Sequence, residues 1–112
     1  MQAQTVKIGG KNYRMEYTIN ALCQLEDQAG GVALATLAVH KSNQFLRLMV
    51  WAALITHHPG LTLEEAGDLA AAYIQQAGRR DALEDLLNGL MKAAGLGPED
   101  EEKNAGTPQE SA

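Results

Sequence analysis

Aromatic residues are scarce in this chain. One Trp, one Phe and three Tyr make up 4% of its 112 residues, although 46% are hydrophobic. A core must therefore be built from Leu, Ala, Val, Ile and Met. Alanine lets helices approach closely but buries little area per residue. Cysteine is limited to Cys23, which excludes an intrachain disulfide and fits a reducing compartment. Long apolar runs are also missing. The run Leu48 to Ile55 has eight residues, far fewer than the ~20 that span a bilayer, so no membrane partner is expected. Basic charge is in short supply as well. Residues Met1 to Gly97 carry 8 basic and 9 acidic side chains, and Pro98 to Ala112 carry 1 and 5, giving the net charge of −5. Phosphate binding needs a basic face, so nucleic acid is not an expected partner. The first residues lack the basic and apolar segments of a signal peptide, so export is not expected. What remains is one domain, residues 1–97, small enough to lean on partners, followed by a tail, 98–112, expected to be acidic and disordered.

Periodicity assigns the elements. Thr5–Ile8 and Asn12–Tyr17 alternate apolar and polar residues around Gly9-Gly10, the pattern of a tight β-hairpin. A two-residue loop puts Val6 opposite Tyr13 and places Val6, Ile8, Tyr13, Met15 and Tyr17 on one face. A lone hairpin is barely stable in water, so this face is expected to lie on helices. Thr18 caps a first helix with Ile19, Leu22, Cys23 and Leu25 inward, ended by Gly30-Gly31. Val32 to Val39 forms a short apolar turn or two. Ser42 or Asn43 caps a helix that is apolar on nearly every side from Phe45 to Ile55, interrupted by Arg47. A helix of that kind is surrounded by protein, which buries Trp51. After His57-His58-Pro59-Gly60, Thr62 and Glu65 make a capping box. The helix they open places Leu63, Ala66, Leu69, Ala70, Tyr73 and Ile74 on one broad face, and Gly78 closes it. A last helix starts near Asp81, with Glu84 as its capping pair, and carries the most regular stripe: Leu83, Leu86, Leu87, Leu90, Met91 and Ala94. Asn88-Gly89 weakens it by ~1 kcal/mol relative to Ala. The expected fold is α+β and predominantly helical: an N-terminal β-hairpin packed on a bundle of four or five helices.

No catalytic constellation is visible, and no enzyme is expected. His57-His58 are adjacent and lack a second Cys/His pair at zinc-like spacing, so they are read as a helix C-terminus, where the dipole favours histidine. Cys23 sits in an apolar stripe without a neighbouring base and is read as a small buried hydrophobe. Glu64, Glu65 and Asp68 belong to the first turn and a solvated face. Gly9-Gly10 lacks any phosphate-loop pattern. The helix–HPG–helix unit has three acids and no base on its second helix, which opposes DNA reading. No catalytic, cofactor-binding or metal residues are assigned. Two readings of the last stripe stay open: core packing, or a protein-binding surface formed by Leu83, Leu86, Leu87, Leu90 and Met91. Should that stripe not bind, the outer face of the hairpin, with Lys7, Arg14 and Glu16, is the next surface.

The order TINALCQLEDQAGG, then LRLMVWAAL, then HPGLTLEEAGDLAAAYIQ resembles the small tail-assembly chaperones of tailed phages, prophages and gene transfer agents. The resemblance spans Val6 to Gln76, 71 of the 112 residues. It implies a non-enzymatic factor that binds the tape-measure protein, keeps its long apolar helices soluble and recruits tail-tube protein during tail assembly. It places the protein in the host cytoplasm and outside the mature virion, with self-association left open. In related phages a ribosomal frameshift near the end of this reading frame makes a longer form. The alternative is a small helical adaptor or regulator that binds another host or phage protein.

Overall fold

Two glycines with positive φ, Gly9 at 59° and Gly10 at 86°, turn the chain between strands β1 (Gln4–Ile8) and β2 (Lys11–Met15). Both positions of this hairpin turn need a left-handed backbone, which glycine adopts without steric penalty. The register pairs Val6 with Tyr13 and Ile8 with Lys11, so the expected parity holds. Val6, Ile8, Met15 and Tyr17 are buried, and Tyr13 is partly buried against the same core. The computed structural model describes residues 3–40 and 42–95. The expectation of a disordered acidic tail over 98–112 lies outside the described residues.

Among the described residues five helices follow: α1 (Ile19–Gln28), α2 (Leu34–His40), α3 (Asn43–Ile55), α4 (Leu63–Ala77) and α5 (Arg80–Ala93). Helix α3 is the axis of the fold. Eight of its residues are buried, from Leu46 through an unbroken Leu48–Leu54, as a helix apolar all round requires. Helices α1, α2, α4 and α5 and strand β2 all pack on it, while β1 lies on α4. The close approach of α4 depends on small residues. Ala66 and Ala70 are its buried positions, and a Cβ at Gly67 would stand 3.2 Å from the Arg47 side chain of α3. Trp51 is buried, and its indole N–H donates to the Leu61 carbonyl at 2.9 Å, which satisfies the polar end of an otherwise apolar ring.

Local capping signals behave as the sequence dictates. The Thr18 and Ser42 hydroxyls accept from Ala21 and Phe45 N–H. Thr62 and Glu65 bond reciprocally, and Gly78 ends α4 with φ 82°. Helix α5 departs from expectation. It begins at Arg80 after Arg79, with no side-chain cap, so Asp81 and Glu84 are not a capping pair. Glu84 instead lies 3.6 Å from Arg80, and Arg79 lies 3.7 Å from Asp85. These exposed pairs contribute under about 1 kcal/mol each.

The sheet has both edges engaged by side chains. On the β1 edge, Gln76 of α4 accepts from Gly9 N–H at 3.1 Å and donates to the Lys7 carbonyl at 2.6 Å. On the β2 side, His58 Nε2 accepts from Arg14 N–H at 3.2 Å. Beyond the strand, Glu16 N–H reaches the Ala53 carbonyl at 2.8 Å. His57 pairs with Glu16 at 2.9 Å, and the His58 ring leans on Tyr13 with centroids 5.5 Å apart. As expected of a helix C-terminus, the backbone N–H groups of His57 and His58 both reach the Leu54 carbonyl, at 3.2 and 2.8 Å, just past the cap residue Thr56. Their side chains do something the sequence did not announce. They reach across to clasp the hairpin, an outcome set by a contact 41 residues distant in sequence.

Candidate functional site

Helix α1 has two faces, and their separation creates the candidate site. Ala21, Leu22 and Leu25 are buried. Ile19, Cys23 and Glu26 follow one another at i, i+4 and i+7 on a neighbouring face. Ile19 is 60% exposed and Cys23 is exposed. Both were expected inward, and both are turned out because the core-facing stripe is centred on Ala21–Leu22–Leu25. The outward pair does not face open solvent on all sides. Together with Leu22 and Glu26 it forms one wall of a groove of about 470 Å³.

The opposite walls come from three other elements. Ala33, Leu34, Ala35 and Ala38 contribute from α2 and the residue before it. Phe45, Leu46 and Met49 of α3 and Leu87 and Met91 of α5 supply the larger apolar side chains. Polar groups at the groove are few. Glu26 Oε2 accepts from Leu34 N–H at 2.7 Å, and Arg80 donates to Asn43 Oδ1 at 2.6 Å while lying near Glu84. Such a concavity, mainly apolar with a few fixed polar groups, is the general form of a binding site.

The five residues of the expected protein-binding stripe separate into three groups. Leu83 and Leu90, each 1% exposed, lie in the core. Leu87 and Met91 are buried too, yet they line the groove. Leu86 is partly buried against the core. The stripe is therefore not an open surface in this fold: most of it holds α5 against α3 and α4, Leu86 keeps some exposure, and Leu87 and Met91 are the two that reach the groove. The groove itself draws on residues 19 to 91, so no single stretch of sequence could announce it. The nearest signal was the row Ile19–Cys23–Glu26, offset from the core stripe of the same helix.

Among the described residues, no group of three His, Cys, Asp or Glu is placed to hold a metal ion. Tyr17 is, among the described residues, the titratable group with a clear perturbation. Burial raises its pKa well above the ordinary tyrosine value, and its hydroxyl donates to the Met49 carbonyl at 2.7 Å. That bond joins the hairpin to the middle of α3 and is structural. Among the described residues no helix is long and apolar enough to cross a membrane. Compared with known proteins, the chain matches no family model, no curated protein and no solved structure.

Proposed function

We propose that the chain is a non-enzymatic tail-assembly chaperone whose groove receives the apolar face of a client helix. The observation that carries this reading is the groove between α1, α2, α3 and α5, walled by Ile19, Leu22, Phe45, Met49, Leu87 and Met91. Its volume of about 470 Å³ takes a few large side chains, in keeping with an amphipathic helix anchored at i, i+3 and i+7. The resemblance of Val6 to Gln76 to tail-assembly chaperones supplies the client: the tape-measure protein, a long chain of apolar helices that needs cover before the tube forms around it. Binding is an equilibrium, so tail-tube subunits displace the chaperone by mass action as they polymerise. Such a protein acts in the host cytoplasm and leaves no copy in the mature virion.

The test uses the groove positions that are already exposed. Ile19→Asp with Cys23→Asp places two charges on the α1 wall without entering the core. Co-purification with a tape-measure protein is expected to fall about tenfold, on the order of the 1–3 kcal/mol for desolvating an unpaired polar group, while circular dichroism and melting temperature hold. Undiminished binding by the folded double variant sinks the groove as the client site. Absence of a tube gene and a tape-measure gene from the neighbourhood sinks the chaperone reading itself. Aspartate at Leu87 and Met91 would not serve, because both side chains are buried and the charges would unfold α5.

A further inference from the structure

Helix α2 is the weakest wall of the groove, and it is held differently from every other helix. None of its described residues is fully buried, whereas α1, α3, α4 and α5 each bury at least two. Val39 is 76% exposed, and Val32 just before the helix is 38% exposed. Seven residues are too few for a helix to persist without tertiary support. Among the described residues, one hydrogen bond ties α2 to the rest of the fold: the Glu26 carboxylate of α1 accepting from Leu34 N–H at 2.7 Å.

The connection to α1 runs through two glycines. Gly30 and Gly31 both hold positive φ, 79° and 87°, and a Cβ at either would meet nothing within 4 Å. Packing therefore does not require glycine at these positions; the backbone conformation does. Their N–H groups bond back to Asp27 and Glu26 carbonyls at 3.1 and 2.8 Å, which seals the end of α1, so α2 can shift without disturbing α1. The groove-lining residues of this segment are Leu34 and three alanines. They bury little apolar area, so a client helix with larger side chains gains more from the same groove than α2 does.

We propose that α2 is a displaceable flap, a groove wall latched to α1 by Glu26 and hinged at Gly30-Gly31, which gives way when an apolar client helix enters. The client arm of this inference rests on the proposed function; the flap itself does not. The experiment is native-state hydrogen exchange of the full chain, read amide by amide. Amides of Leu37, Ala38 and Val39 are expected to exchange through an opening that leaves α1 and α3 protected. Glu26→Ala removes the latch and keeps a strong helix former in α1. It is expected to speed α2 exchange about tenfold, the loss of one charge-assisted hydrogen bond, with α3 unchanged. Exchange of α2 at the slow rate of α3, or an unaltered α2 rate in Glu26→Ala, overturns the flap. Binding of the tape-measure protein is then compared: Glu26→Ala should tighten it, whereas Ile19→Asp with Cys23→Asp should weaken it. A fast, latch-dependent α2 in a chain that ignores the tape-measure protein would retain the flap and remove the chaperone.

Discussion

Helices α2 and α3 adjoin in the chain and are both rich in apolar residues, yet one is peripheral and the other is the axis of the fold. The difference lies in side-chain size and continuity. Helix α3 offers Leu46, Leu48, Met49, Val50, Trp51 and Leu54 on several sides and buries all of them. Helix α2 offers two leucines among alanines, with Val39 turned outward. At roughly 25 cal/mol per Å² of apolar surface removed from water, the first set repays ordering and the second barely does. Apolar composition alone therefore does not choose the core; the area that each helix can cover on a neighbour does.

The comparison is broken most directly at Trp51. Trp51→Ala should destabilise the fold by about 3–5 kcal/mol, the usual loss for a buried aromatic, enough to unfold a domain of marginal stability. Urea unfolding followed by circular dichroism measures this. The native protein should show blue-shifted tryptophan emission that acrylamide quenches poorly; free quenching would remove Trp51 from the core.

A smaller effect is expected at Tyr17, which anchors the hairpin to the middle of α3. Tyr17→Phe keeps the ring and leaves the Met49 carbonyl without this partner, a loss of about 1–2 kcal/mol. Because burial raises the folded-state pKa of Tyr17, the stabilisation is fully present below the ordinary tyrosine value. It is lost as pH climbs above that value, where the unfolded chain ionises first. Melting temperature should thus fall on the alkaline side, and the fall should be shallower in Tyr17→Phe. Parallel curves for the two proteins would show that other groups set the alkaline limit.

Much of this architecture is local, and that part is legible in the sequence. Gly9-Gly10 fixes the hairpin register, Thr62 and Glu65 fix the start of α4, and the unbroken Leu48–Ile55 run identifies the central helix. What escapes is decided by distant partners. Cys23 and Ile19 share a helix with core residues, and only the position of α3 determines which stripe faces inward. His57 and His58 follow a helix end, but their side-chain partners Glu16 and Arg14 lie just past β2 and on it, far earlier in the chain. Gln76 gives no sign of its bonds to Lys7 and Gly9. The stripe on α5 was visible, but its division between core and groove depends on α1 and α3. Chemistry tied to one turn of chain is readable in advance; a concave surface assembled from four helices is not.

The smallest expected effect completes the contrast between the two helices. Leu37 is the α2 side chain that packs against the core without lining the groove, so shortening it tests how firmly α2 is built in. In a well-packed interior, Leu→Ala costs about 2–5 kcal/mol, depending on how far the site can collapse. Here the residue is only partly buried and sits on a short helix with one hydrogen bond to its surroundings, so neighbouring atoms can close over the gap. Leu37→Ala should cost less than ~1 kcal/mol in urea unfolding, within the range of surface substitutions and minor cavities. The matched change Leu54→Ala in α3, where the side chain is 0% exposed, should cost several times more. Equal losses at the two sites would mean that α2 shares fully in the cooperative core, and the contrast between the helices would then be one of exposure and not of stability.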